Sequence, residues 1–382
     1  MSRGWLVEIT GLSRVTIGQR LGELFETSII RESDSTLSSG GRPKRQIELN
    51  NEAGLIAAAD VGETHLHVGI TDLAARVLAD KTIAFDLRQS PEATLSEIVE
   101  AVDGLLASNG WCMRELIGIG LSLPAPVNFS EGTVVGPSVM AGWDDFDIRK
   151  FLLGTISVPV TVDNDVNILA LAEAASRKDR SAQIAFVKVG TGIGCGIIAD
   201  NRLFRGASGA AGDIGHIQLS NDAAHLCRCG KLGCVEAHAS GWALARDLRS
   251  HGFNAHTARE VVALARSNVP IAIQLVRQAG RVVGEVVADL VSILNPDHII
   301  VGGMLSETGD HLVAGVKEMV YQRCLPLATR NLSITLAGHR PLAGVEGAAL
   351  LVRAEAFSGD SADATVKRIV DNLMRKHDTS PV

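Results

Sequence analysis

Cys227, Cys229 and Cys234 are three of the chain's six cysteines and fall within eight residues of one another. Histidines stand nearby at positions 216 and 225. One imidazole and three thiolates make a donor set suited to tetrahedral zinc in a closed structural site. A redox pair is the competing chemistry, but Cys227-Arg228-Cys229 lacks the two-residue spacer of thioredoxin-like motifs. Spacing alone leaves His216 and His225 both open as the fourth ligand. Asp213 and Glu236 flank the cluster; taken by themselves they read as a turn cap and the start of a solvated helix. Cys112, Cys195 and Cys324 are isolated in apolar surroundings and are expected to be buried small hydrophobes.

Two glycine-rich turns carry a second kind of chemistry. Gly190-Thr191-Gly192-Ile193-Gly194-Cys195-Gly196 lies between two apolar runs, and its backbone N–H groups could approach a phosphate closely. Tight hairpins collect glycines too, so the turn alone does not choose. Asp60-Val61-Gly62-Glu63-Thr64 occupies the same place in an earlier strand-turn-strand unit. Asn164 and Asp165 follow a strand and open a helix, where an acid or amide is ordinarily a cap.

The elements that must position these groups alternate between strand and helix. "LIAAADVGETHLHVGITD" reads as two strands and "ARVLADKTIAF" as a third, with a helix from Ala93 to Ala107. "LIGIGLSLPAPV" and "PVTVDND" are apolar strands, "VNILALAEAASR" is a helix, and "QIAFVKVGTGIGCGIIADNRLF" repeats the hairpin logic. A duplicated unit follows from the repetition.

Ahead of this lies a segment of different texture. A short helix from Arg3 to Ile9, a turn at Thr10-Gly11-Leu12 and a second helix capped by Ser13 are expected. Val15, Ile17, Leu21, Leu24 and Phe25 recur at helical spacing, which leaves Arg14, Thr16, Gln19 and Arg20 on the polar side, side chains that reach base edges and phosphates. Two strands, Ile29 to Glu32 and Gln46 to Leu49, join through a polar, basic tip holding Arg42 and Lys44. The pattern predicts a winged helix-turn-helix whose Gly41-Arg42-Pro43 lies in a narrow A/T minor groove. A winged helix usually has one more helix before the pair, which this start leaves out, so a truncated module is expected.

At 382 residues and 46% hydrophobic, the chain has material for more than one domain of about 100–150 residues. The formal charge of −7 excludes a body coated for nucleic acid. Residues 1–50 carry seven basic against six acidic side chains, net +1, leaving −8 for the remainder, so DNA contact is confined to the N-terminal segment. No run of about 18 apolar residues and no secretory signal is present, which predicts a cytoplasmic protein with reduced thiols and no membrane contact.

"VGTGIGCGIIADNRLFRGASGAAGDIGH", the cysteine run after it and "GRPKRQIELNNEAG" together resemble the ROK family, which groups bacterial sugar-responsive repressors with sugar kinases. The resemblance covers nearly the whole chain. It implies an α/β architecture: an actin-like, ribonuclease H-like duplicated, two-lobed sugar kinase fold. The winged module would span 1–50, lobe 1 would span 51–165 and be joined by C-terminal helices 344–376, and lobe 2 with the zinc segment would span 166–343. The family's ligand is the histidine of Gly-His, so the implied zinc ligands are His216, Cys227, Cys229 and Cys234. The implied sugar-binding residues are Asn164, Asp165, Asp213, His216 and Glu236, and in the kinases Asp165 would be the catalytic base. The phosphate loops would be Asp60, Gly62 and Thr64, then Gly190, Thr191, Gly192 and Gly194, with Gly302 and Gly303 in "IIVGGMLSETGDHL" on the adenosine side.

Departures from the kinase pattern choose between the two branches. Kinases resembling this chain carry Asp-x-Gly-Gly-Thr in the first turn, often followed by lysine; here Glu63 and His65 stand at those places. A carboxylate a few ångströms from a polyphosphate costs about 1 kcal/mol per charge pair even at water's dielectric constant. Asp213 is one methylene shorter than the family's usual glutamate. The sequence therefore reads as a transcriptional regulator, a repressor of sugar-utilisation genes. It would hold structural zinc, bind ATP poorly and take a sugar or sugar derivative in the kinase-like cleft. Double-stranded DNA is the expected partner, bound by a homodimer or homotetramer. The alternatives are an ATP-dependent kinase for glucose or an N-acetylhexosamine, and a sugar-binding protein that has lost DNA contact.

Overall fold

A computed structural model describes residues 1–37, 44–136, 140–177, 182–219 and 225–378. The chain divides into two compact units. One comprises Met1–Leu121, Ile148–Thr161 and Ala348–Val382; the other comprises Ser122–Asp147 and Val162–Gly347.

The first unit begins with a helical pair. Ser2 caps helix Arg3–Thr10 by accepting from the Trp5 N–H, and Gly11 ends it at φ +68°. Ser13 caps helix Arg14–Glu26, its hydroxyl accepting from the Thr16 N–H at 3.1 Å. Strands Ile30–Leu37 and Lys44–Leu49 then pair antiparallel, with a register slip between Ser33 and Thr36. Ile17, Leu21 and Ile47 form a small core, supported by Leu6, Val7, Phe25 and Ile30. Val15 departs from the sequence expectation: it is 71% exposed. Two residues before Ile17, it lies about 200° round the helix from the buried stripe, so the turn that buries Ile17 and Leu21 turns Val15 outward.

Two five-stranded sheets follow with one strand order. In the first, Val77–Ala84, His65–Thr71, Leu55–Val61, Leu116–Leu123 and Val160–Asn164 are neighbours in that sequence. In the second the sequence is Arg202–Leu203, Ile193–Ala199, Ile184–Val189, His298–Gly302 and Ser333–Leu336. Numbered along the chain, both run third, second, first, fourth, fifth. The repeated hairpins of the sequence are thus the opening strands of a duplicated sheet.

Each sheet admits a helix through a glycine pair two residues apart, because alternate residues share a face. In the first unit, a Cβ on Gly118 would lie 2.8 Å from a Val352 methyl, and one on Gly120 would strike the Ala348 carbonyl. In the second, Gly194 and Gly196 play that part against Val166 and Ala170 of helix Asp165–Ser176. Most of the second unit's core is aliphatic, with Val187, Leu244, Val283, Ile299 and Val316 at or near zero exposure, much of it covered by the 25-residue helix Pro270–Leu294.

All six cysteines are free. Cys195 is buried, and burial pushes its thiol up to about 12. Cys112 and Cys324, expected to be buried, are only half-buried; Cys112 precedes the short helix Met113–Glu115, and its thiol donates to the half-buried Glu115 at Oε1, 3.3 Å away. Among the described residues, no helix is long and apolar enough to cross a membrane.

Candidate functional site

The second unit gathers the thiols. His216 ends the short helix Ile214–His216, and Cys234 caps helix Val235–Ala239. Between them the chain folds tightly: Cys227 donates its N–H to the Lys231 carbonyl at 2.8 Å, and Gly230 donates back to Cys227 at 3.0 Å with φ +86°. His216 Nδ1 lies 3.6 Å from Cys227 Sγ, and Cys229 Sγ lies 3.7 Å from Cys234 Sγ. All four donor atoms fall within 4.8 Å of one another. Tetrahedral zinc with Zn–S of about 2.3 Å separates sulfurs by about 3.8 Å, so these residues fit the ion. Burial pushes the Cys234 thiol up to about 12 and raises Cys227 as well. At Cys229 burial also opposes ionisation, but the Lys231 N–H and the neighbouring thiols outweigh it and lower the thiol. Among these groups a cation would supply the charge that stabilises the thiolates. His225 is not in the cluster; its ring packs edge-on against His238 at 4.6 Å.

The two flanking acids differ from the cap-and-solvent reading. Asp213 makes no side-chain cap hydrogen bond. Its Oδ1 lies 4.0 Å from His216 Nε2, beyond hydrogen-bond range. Nδ1 of His216 lies on the side of the thiols and Nε2 on the side of the acid. Glu236 is buried, not solvated: Oε2 accepts from the Ile193 N–H at 3.1 Å. A Cβ on Gly192 would lie 2.9 Å from that oxygen, so glycine there is what lets the turn sit on the carboxylate.

Asn164 and Asp165 stand at the junction of strand Val160–Asn164 and helix Asp165–Ser176. The Asn164 side chain accepts from the Val166 N–H at 2.9 Å and donates to the Ala125 carbonyl at 2.7 Å, so it caps the helix and ties down a second segment. Asp165 is ion-paired with Lys188, the last residue but one of strand Ile184–Val189. Beside them, the side chain of Asp163, 2% exposed, accepts from Arg205 Nε at 2.7 Å, Asn167 Nδ2 at 2.8 Å and the Asn164 N–H at 2.8 Å. The Arg205 guanidinium also covers the Phe129 ring at 3.7 Å.

The second glycine turn is tight: Gly190 donates to the Gly192 carbonyl at 2.9 Å. Thr191 sits half-buried between them. Gly194 faces helix Asp165–Ser176 rather than the turn's opening, and Gly302 lies against the Phe186 ring. Gly303, at φ +83°, passes within 3 Å of the Val189 backbone at the Cβ position. Asp60, Gly62 and Thr64 belong to the first unit, with Gly62 donating to the His65 carbonyl at 2.9 Å. On helix Arg14–Glu26, Arg14, Gln19 and Arg20 are exposed, whereas the Thr16 hydroxyl lies 2.9 Å from that of Ser13. Arg42 lies outside the described residues; Lys44 opens strand Lys44–Leu49.

Three residues here escaped sequence reasoning: Lys188, Asp163 and Arg205. Asp163 was readable as a charge inside an apolar strand, which requires a partner. Lys188 carried the same signal, a lone lysine in "IAFVKV".

Comparison with known proteins bears on the chain as a whole. A putative xylose repressor of Caldicellulosiruptor sp. (strain Rt8B.4) is 27% identical over 371 residues, covering 92% of this chain and 91% of that protein. A ROK family transcriptional regulator described as a homolog of the E. coli MLC protein shares the fold at TM-score 0.79 and 22% identity, covering 97% of this chain and 95% of that one. A ROK family glucokinase from Streptomyces griseus, solved with glucose and AMPPNP, superposes at TM-score 0.68 and 27% identity over 79% of this chain and all of the kinase. Relatives thus include both regulators and sugar kinases. Residues 56–355 match the ROK family as a whole, and with the duplicated sheets and the Cys3His cluster in place, this chain is a member of the ROK family.

Proposed function

We propose that this chain is a transcriptional regulator, a repressor of sugar-utilisation genes, whose affinity for DNA is set by a sugar or sugar derivative. The effector is held by Asn164, Asp165, Asp213, His216 and Glu236. Structural zinc on His216, Cys227, Cys229 and Cys234 keeps Asp213, His216 and Glu236 in register, so the metal's part is positioning rather than catalysis. DNA is engaged by Arg14, Thr16, Gln19 and Arg20 in a major groove and by Arg42 and Lys44 of the wing. Val15 joins the first group, because an exposed aliphatic beside Gln19 suits a thymine methyl. Two half-sites imply at least a dimer.

The observation that carries the choice of regulator over kinase is the ion pair of Asp165 with Lys188. A general base must offer a carboxylate oxygen to the attacking hydroxyl. An ammonium in contact with Asp165 suits a carboxylate that accepts hydrogen bonds from a bound polyol, but its positive charge opposes the arrival of the hydroxyl proton that a general base must take up. Glu63 in the first turn adds repulsion against a polyphosphate. The kinase reading keeps one favourable observation, the tight glycine turn from Gly190 to Gly192.

The test is a thermal-shift screen of hexoses, N-acetylhexosamines, pentoses and their phosphates, followed by DNA binding with and without each hit. A ligand at 100 times its Kd adds about 2.7 kcal/mol of stability. A hit that changes DNA affinity and is not phosphorylated with ATP supports the proposal. Rapid phosphorylation by the unmodified chain refutes it.

A further inference from the structure

The hairpin that opens the first unit's sheet carries a second set of metal-ligating side chains, far in sequence from the thiols. Strands Leu55–Val61 and His65–Thr71 run antiparallel, with Asp60 directly opposite His67 and Val61 opposite Leu66. Side chains alternate along a strand, so His65 and His67 share one face, and Asp60, as the cross-strand partner of His67, shares it with them. Leu66 and Val68 point the other way and are fully buried, which fixes which face the histidines occupy. The two imidazoles are 4.5 Å apart between centroids and tilted by 41°. One donor atom from each of Asp60, His65 and His67 lies within 4.8 Å of the other two, and all three residues are half-buried. At Gly62 a Cβ would come within 2.8 Å of His65 Cε1, so the turn is shaped around that ring.

We infer that Asp60, His65 and His67 form a three-ligand site for a divalent first-row transition ion of the zinc, nickel or cobalt kind. Two imidazoles and one carboxylate are the donors such ions take, whereas magnesium and calcium prefer all-oxygen sets. Bonds of about 2.0–2.1 Å put tetrahedral donors about 3.4 Å apart. The three groups are therefore within about 1.4 Å of closure, a distance that rotation about the broad terminal torsions of His and Asp can cover. Three protein ligands leave at least one coordination position for water or for an oxygen of a bound molecule. The site is independent of the sugar and DNA residues, so it stands or falls apart from the regulator reading.

The experiment uses the full chain with its thiol cluster already filled with zinc, titrated with Co²⁺ and followed by visible absorption and metal analysis. A second equivalent should bind with d–d bands and without the thiolate-to-cobalt charge-transfer band that displacement of zinc from sulfur would bring. His65→Gln and His67→Gln should each weaken this uptake by about 100-fold or more, since loss of a direct ligand costs at least as much as loss of its supporting partner. Both variants should keep their cluster zinc and their thermal unfolding midpoint. In the unmodified chain, bound Co²⁺ should also protect His65 and His67, but not His251, from diethylpyrocarbonate, read by peptide mass spectrometry. No second equivalent, uptake unchanged in both variants, or no protection of His65 and His67 would overturn the site.

Discussion

Arg205→Met removes the cation from a carboxylate that has nowhere else to go. Asp163 is 2% exposed and holds three donors, of which Arg205 Nε at 2.7 Å is the charged one; Asn167 Nδ2 and the Asn164 N–H remain. Truncating one partner of a fully buried pair costs about 3–5 kcal/mol. The Arg205 side chain is one-fifth exposed and two neutral hydrogen bonds survive, which places the loss at about 3 kcal/mol, with the lost contact on Phe129 adding about 0.5–1 kcal/mol. Asp163→Asn on top of Arg205→Met takes away the stranded charge and should recover more than half of the loss. Because two units need not unfold together, urea unfolding should be followed both by far-ultraviolet circular dichroism and by tryptophan fluorescence. Since Asp163 also anchors the Asn164 N–H, effector affinity should fall about 10-fold, or about 1.4 kcal/mol. A destabilisation below about 1 kcal/mol, or a double variant less stable than the single one, would refute the account of Asp163 as a buried charge dependent on Arg205.

The thiol cluster should hold one zinc per chain through dialysis against a mild chelator, and Cys229→Ser should lower that content and weaken effector binding; full effector affinity in the zinc-free variant would contradict a positioning role. Substitution of Thr16 or Gln19, or Val15→Ser, should change which bases are preferred, whereas Arg42→Ala should reduce the preference for A/T-rich flanks; binding-site selection on randomised DNA separates the two, and uniform weakening on every sequence would count against the assigned contacts. Glu63→Gly alone should leave sugar phosphorylation negligible, and adding Lys188→Met, which frees Asp165, should raise it in a coupled ADP assay; turnover by the native chain as fast as by the double variant would show that neither residue limits the chemistry.

Local chemistry was legible in the linear order. The three thiols of Cys227, Cys229 and Cys234 could be read because ligands close in sequence need only a tight turn to meet, whereas spacing left His216 and His225 both open and the fold brings His216 to them. The helical pair came from Ser13 and the spacing of Ile17 and Leu21, and the duplicated sheet from two strand-turn-strand runs, since caps and side-chain periods act over a few residues. Val15 has near-helical spacing to the stripe yet is exposed, because the direction of burial is set by the hairpin that supplies Ile47.

Contacts between elements were decided elsewhere. Lys188 reaches Asp165 from 23 residues away and Arg205 reaches Asp163 from 42, through sheet order and strand register. No local period encodes either. The side of Gly194 where a Cβ would stand lies against Val166 of a helix distant in sequence, a close approach that no neighbour in the sequence encodes. The sequence determined which donors, caps and glycines the chain possesses and in what order. Only the tertiary structure decided which charges meet, because a buried ion pair is stable only where packing brings both partners out of water together, and that depends on the whole sheet at once.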